Sequence, residues 1–206
     1  PAALLKNGFE TERNRFFYPV EPESIYIRGY FDVASIGNTE KNTGCFAVEN
    51  KGFVLKPPTP KTLGYTAEQQ MPFYNGDMLY KFRFAADDGN RYFITADHAS
   101  AVAAVVKTEN GERFFVAPDG RLEITDILRS GENEISVTLL GHNRNLLGPH
   151  HHIKGVTAMV GPDTFIGKYG FEDFVNYGIT GGDTWTDNYN FVPFGCLGFK
   201  IISCKR

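Results

Sequence analysis

A single tryptophan, three methionines and three cysteines in 206 residues withhold the materials of several architectures. Cys45, Cys196 and Cys204 are an odd number without metal-ligand spacing, so no disulfide framework or zinc site is written into the chain. That favours a reducing compartment such as the cytoplasm. Secretion stays open, because a signal segment would lie outside this stretch. No apolar run approaches the roughly 18 residues of a membrane-spanning helix, and no charged-then-apolar leader is present, so no membrane role is expected. Charge of one sign is lacking too. The balance is 21 Lys and Arg against 24 Asp and Glu, which offers no electrostatic footprint for nucleic acid. With Pro1 in first place and no initiator Met, the chain reads as an excised piece of a larger protein.

What is abundant is aromatic and turn-forming: 18 Phe, 10 Tyr, 22 Gly and 11 Pro. Aromatic and β-branched residues suit half-buried pleated surfaces, so the composition favours strands over helices. Ser24–Val33 alternates like a strand bent at Gly29. Cys45–Val48 and Gly52–Leu55, separated by Glu49-Asn50-Lys51, predict a hairpin. The prolines of Lys56–Lys61 remove backbone donors and mark the best internal boundary. Two parts follow: residues 1–60 as an N-terminal β segment packed on or belonging to the sandwich, and 61–206 as the sandwich itself.

Beyond that boundary Met78, Tyr80, Phe82 and Phe84 share one face, and Lys81 and Arg83 the other. Arg91–Ala96 predicts a second strand. The small and β-branched Ala101–Lys107 predicts a strand buried on both sides. Asn110-Gly111 supplies a turn returning through Arg113–Val116, and Pro118-Asp119-Gly120 ends that strand. Leu122–Leu140 predicts a short helical turn capped by Thr125 or Asp126, a Gly131-Glu132-Asn133 connector and an alternating strand. From Gly141 onward long loops are expected until Phe199–Ser203 closes the sheet.

The order of Tyr80–Phe84, the Ala-Val strand, Asn110-Gly111, Leu122–Leu128 and Gly131–Val137 resembles the sugar-binding-type jelly roll of glycoside hydrolase family 2 and its relatives. The resemblance spans roughly residues 75–145. It implies an all-β, galactose-binding-like jelly-roll sandwich with an additional N-terminal β segment and long C-terminal loops. Asn143–His152 and Trp185–Gly195 look like the C-terminal end of large bacterial glycosidase-like proteins. In that family the catalytic carboxylates lie in a separate (β/α)-barrel, and nothing here reads as repeated β-α units. The resemblance therefore implies a non-catalytic accessory domain whose partners are carbohydrate and the catalytic domain of its parent. The polar run Lys107–Asn110 departs from the shorter, more apolar approach expected there, which counts against a ligand role for that turn.

Several residues can carry chemistry. Tyr177, Trp185 and Tyr189 offer flat faces on which a pyranose stacks, and Asp183, Asp187, Asn188 and Asn190 offer hydrogen bonds to hydroxyls. The same composition also serves a loop packed under its own aromatics. Arg144 and Asn145 can read a carboxylate or a ring hydroxyl, or brace the chain as it leaves the sheet. His150 and His152 point to one side of an extended backbone and His151 to the other, so the first two are the metal candidates. The alternative is that these histidines bond loop carbonyls. Asp87, Asp88, Asp97, Asp163, Glu172, Asp173 and Asp187 raise two further possibilities, a calcium site, for which no fixed spacing appears, and a general acid/base pair, which needs two acids facing each other across a groove; no other cofactor is expected. Cys45 and Cys196 lack an activation motif, with His98 or a tail histidine the only bases to pair them with. Two rivals to the accessory, sugar-binding reading remain: a purely structural interdomain scaffold, and a stand-alone hydrolase or lyase using the tail histidines with a carboxylate.

Overall fold

Period-two alternation dictates most of what the chain builds. The computed structural model describes residues 27–42, 44–116, 120–146, 151 and 186–205. Its strands are, in chain order, β1 (Asp32–Ser35), β2 (Thr39–Asn42), β3 (Cys45–Val48), β4 (Phe53–Lys56), β5 (Gly64–Tyr65), β6 (Met78–Ala86), β7 (Asn90–Asp97), β8 (Ala104–Thr108), β9 (Gly111–Phe115), β10 (Leu122–Glu123), β11 (Gly131–Leu139), β12 (Tyr189–Phe191), β13 (Gly195–Cys196) and β14 (Gly198–Lys205). Two 3₁₀ turns, Thr66–Gln69 and Thr125–Ile127, are the helical elements among the described residues. The chain divides into two compact units, Pro1–Tyr30 and Phe31–Arg206. In the first, only residues 27–30 are described, and they form no strand.

In the second unit the protein is an all-β sandwich. A four-stranded antiparallel sheet in the order β6-β11-β8-β9 faces a three-stranded sheet in the order β10-β7-β14. Cross-strand register sets each face: Met78, Leu139, Ala104 and Phe115 line up inward, as do Tyr80, Val137 and Val106. The opposing sheet contributes Tyr92, Ile94 and Ala96 from β7. Rings join the layers. Phe199 lies 5.2 Å from Tyr80 and 5.8 Å from Phe82, and Phe84 meets Tyr92 edge-on at 5.3 Å. Ile135, Leu139, Ile94 and Ile124 are buried completely or almost so, and each such side chain contributes about 1.5–3 kcal/mol of transfer free energy.

A second, smaller core sits where the beginning and end of this unit meet. Strand β3 lies between β2 and β12, and Phe46, Val48, Tyr65 and Phe191 are buried there with Phe53, Phe73 and Tyr189 packed around them. Phe73 and Phe191 meet edge-on at 5.0 Å.

Five expectations change. The expected hairpin of Cys45–Val48 with Gly52–Leu55 does not form: β3 pairs with β2 and β12, while β4 pairs with β1. All of β3 is buried with both edges occupied, so the chain turns out of its plane at Gly52, whose φ of +98° suits glycine. The pairing partner is the wholly polar β2, reached through Gly44 at φ +79°. Ser24–Val33 is not one strand in its described part, since pairing starts at Asp32. The Ala-Val segment is buried on one face only, because Val105 and Lys107 turn outward, and its strand begins at Ala104. Gly131-Glu132-Asn133 is the start of β11, paired with Ala86, Ala85 and Phe84. Neither Thr125 nor Asp126 caps the 3₁₀ turn. Thr125 Oγ1 instead accepts the Tyr92 N–H at 2.9 Å, and Asp126 pairs with Arg113.

One buried ion pair fixes β1 to the proline-rich strap. Asp32 is 2% exposed, and its Oδ2 accepts from Lys61 Nζ at 2.6 Å, Thr59 Oγ1 at 2.7 Å and the Thr59 N–H at 2.9 Å. Burial pushes the carboxyl up, but Lys61 and the Thr59 donors outweigh it, so Asp32 sits below the usual carboxylate value. A folded value below the unfolded one means the stabilisation is complete above the unfolded pKa. It is lost as pH falls through the folded value. Asp32→Asn is expected to cost about 2 kcal/mol at neutral pH, less than the about 3–5 of a fully buried pair because Lys61 stays partly exposed. The variant should also flatten the acid side of a Tm-against-pH curve, and an unchanged acid side would count against this role.

Candidate functional site

Where β11 ends, the chain is forced close to its neighbours. A Cβ on Gly141 would stand 2.5 Å from the Gly76 carbonyl oxygen and 2.6 Å from that of Asn75, so only glycine fits. The Gly141 N–H donates to Asp77 Oδ1 at 2.9 Å, and Asn75 Nδ2 donates to Asn143 Oδ1 at 3.0 Å. Four residues past Gly141, the fully buried Asn145 reads the backbone of Val192. Its Oδ1 accepts the Val192 N–H at 2.9 Å and its Nδ2 donates to the Val192 carbonyl at 2.9 Å. Further out, the His151 carbonyl accepts the Thr186 N–H at 2.7 Å. The His151 ring Nδ1 lies 3.0 Å from the Thr186 carbonyl oxygen and 3.2 Å from that of Asn188. Two carbonyl acceptors require a proton on Nδ1, leaving Nε2 as the second ring position. The two segments that bound the tail thus form a braced neck at the edge of the second core.

Of the residues expected to bind ligand, Arg144 is half-buried beside Asn145, Asp187 is exposed between Thr186 and Asn188, and Tyr189 is half-buried in β12. The Tyr189 ring lies 5.2 Å from His151 and 5.6 Å from Phe53. Asn145 braces the neck from a position with no exposed surface. Tyr177, Trp185, His150 and His152 lie outside the described residues, as do Asp183, Asp163, Glu172 and Asp173. Burial lowers the pKa of His142, the Arg144 charge lowers it further, and burial also depresses Arg144 itself.

The remaining reactive groups are dispersed. Burial pushes the Cys196 thiol up to about 11 and raises that of Cys45, so both stay protonated and packed. His98 is exposed and 3.8 Å from Asp97. Among the described residues no group of three or more His, Cys, Asp or Glu gathers around a common point.

A second concavity carries residues that sequence reasoning missed. Between β1 and the β2–β3 hairpin lies a groove of about 380 Å³ with Lys41 and Lys56 on its lining and Ala34, Phe46 and Val48 among its apolar residues. Lys41 Nζ stands 4.8 Å from the Tyr65 ring centroid and 5.7 Å from that of Phe46. These residues come from several separated stretches. The one local signal was a lysine alternating with a buried aromatic across the hairpin, Lys41 opposite Phe46.

No protein-family model matches the chain, and a comparison with curated proteins finds none that matches. Among solved structures it is similar to a rhamnosidase from Novosphingobium sp. PP1Y, at 15% identity over 88% of this chain and 16% of that one, with a TM-score of 0.44. It is also similar to an FMN-binding beta-glucuronidase from Facaelibacterium prausnitzii L2-6, at 16% identity over 86% of this chain and 23% of that one, with a TM-score of 0.34. A third is the Bifidobacterium dentium beta-glucuronidase complexed with coumarin-3-O-glucuronide, at 18% identity, 86% and 29% coverage and a TM-score of 0.36. The chain spans less than a third of the length of each.

Replacing Asn145 by the similarly sized Leu removes the partners of the partly buried Val192 N–H and carbonyl. Asn145→Leu is expected to cost about 1–3 kcal/mol, less than two fully buried unsatisfied groups because water reaches part of the Val192 peptide. Hydrogen exchange of the Val192 amide should accelerate selectively, ahead of amides in β11. Equal protection in both proteins would show that the neck is held by something else.

Proposed function

We propose that this chain is a non-catalytic accessory jelly-roll domain of a larger glycoside hydrolase-like protein, and that it contacts carbohydrate at the neck. The observation that carries the reading is the neck itself. Asn145 and His151 fix the two chain segments flanking residues 152–185 against one another, and the fixed edge presents the exposed carboxylate of Asp187 next to the half-buried Tyr189 ring. Rigid sheets holding adaptable connections are how sandwiches present binding residues. The motif order across residues 75–145 supports the family assignment. Trp185 and Tyr177 complete the sugar-stacking set on sequence grounds.

A second reading, docking against the parent's catalytic domain, is favoured by a different surface. On the outer face of the four-stranded sheet Leu79, Thr138, Val105 and Phe114 form one cross-strand row. Leu79 is 58% exposed and Phe114 65%, and Val116 next to it is 80% exposed. A row of three apolar residues interrupted by one threonine on an open sheet face suits an interdomain contact. The two readings are compatible within one accessory domain.

A glycan array followed by calorimetry tests the first. Saturable binding is expected for the native chain, with a loss of about tenfold in affinity in Asp187→Ala and in Trp185→Ala, the scale of a hydrogen bond to a charged group or a lost stacking face. A folded chain that binds no glycan would leave docking alone. Sedimentation then reads the second surface, where weak self-association relieved by Phe114→Lys is expected.

A further inference from the structure

We infer that the groove between β1 and the β2–β3 hairpin is a second binding site, and that its ligand is an acidic saccharide, a sugar ring bearing a carboxylate. Charge comes first. Among the described residues neither Lys41 nor Lys56 has a carboxylate within 4.0 Å, so the groove holds two cations that the fold leaves unneutralised. The carboxylate that also lines it, Glu68, turns back toward the Tyr65 N–H at 3.4 Å. An anion entering the groove therefore meets net positive charge at close range.

Lys41 is also pre-placed. With its ammonium over the Tyr65 and Phe46 rings, the charge is held by the ring faces while its N–H donors remain available on the far side. The apolar lining is small at the surface: Val33 and Ala67 keep part of their area accessible, with Ala34, Phe46, Val48 and Pro72 buried behind them, and that C–H contact suits a sugar ring better than a bare inorganic anion. Hydroxyl partners are at hand. Ser35 Oγ donates to the Gly37 carbonyl at 2.9 Å and so presents its lone pairs, and Thr39 lies on the facing strand. At about 380 Å³ the space falls at the small end of the roughly 300–1,000 Å³ of ligand sites, the size of one or two sugar rings.

The walls need no ordering on binding. The Asp32–Lys61–Thr59 cluster holds β1, the Val33 N–H donates to the Gln70 carbonyl at 2.9 Å, and Gly37 sits so close to Glu49 that a Cβ would fall 2.5 Å from Glu49 Cβ. A preformed site loses less entropy when occupied. The groove lies on the β2 side of β3 and the neck on the β12 side, so the two sites are separable by substitution.

The test is a titration of the whole chain with D-glucuronate and D-galacturonate, with D-glucose, D-galactose and sulfate as comparators, followed by amide chemical shifts and calorimetry. Uronates are expected to saturate, shifting Ser35, Lys41 and Ala67. The neutral sugars should bind this site about tenfold or more weakly, and uronate affinity should fall with salt. Lys41→Met and Lys56→Met, both at exposed positions that leave the cores intact, should each weaken uronate binding about five- to tenfold, while Asp187→Ala leaves it unchanged. Absence of saturable uronate binding, sulfate binding as tightly as the uronates, or binding lost in Asp187→Ala but kept in Lys41→Met would each overturn the proposal. Because Asp187→Ala reports on the neck and Lys41→Met on the groove, failure of one site is distinguishable from failure of the other.

Discussion

A carboxamide taken wholly out of water must find its partners inside the protein, and at Asn145 that requirement ties the end of the sandwich together. Both partners are backbone groups of a single residue, Val192. A two-point clasp on one peptide unit sets position and orientation at once, which a single hydrogen bond does not. The register of β12 against β3 follows from it, and with that register the burial of Phe191 beside Phe46. His151 repeats the device farther out with a ring nitrogen shared between two carbonyls.

The two cores have different origins. The larger is filled from inward rows of long, alternating strands, and its aromatic bridges from Phe199 to Tyr80 and Phe82 join residues more than a hundred positions apart in the chain. The smaller is assembled from short strands that would not bury a face alone, and it is held by polar clasps at Asp32, Asn145 and His151 as much as by its rings. Hydrophobic area makes the first core, and directional bonding locates the second. The candidate neck and groove both belong to the second, where short strands and their connections meet.

That difference also decides what the sequence made legible. Strands β6, β7, β9 and β11 are readable because each has one wet face and one dry one, so period-two alternation shows. The turn at Asn110-Gly111 is readable from its residues. Strand β2, by contrast, is Thr-Glu-Lys-Asn, exposed throughout, and an edge strand without a dry face has no periodicity to detect. Missing it handed its partner β3 to the wrong neighbour. In the neck, residue type suggested polar work for Asn145 and the tail histidines but not which peptide each would grip. The groove was hidden for a plainer reason: Ser35, Lys41, Lys56 and Ala67 become neighbours only after the sheets have folded.

Strand β14 pairs with β7 along its whole length, from Gly198 opposite Asp97 to Lys205 opposite Asn90. On the ribosome this has a consequence that no contact in the finished structure displays. From the emergence of Asp97 until the synthesis of Lys205, one edge of β7 has no partner, and Tyr80 and Phe82 lack the ring that later covers them. A nascent chain is thus an open-edged, aromatic-faced half sandwich throughout the synthesis of the residues between Asp97 and Lys205, the interval in which a chaperone or a premature sister chain competes for the same hydrogen bonds.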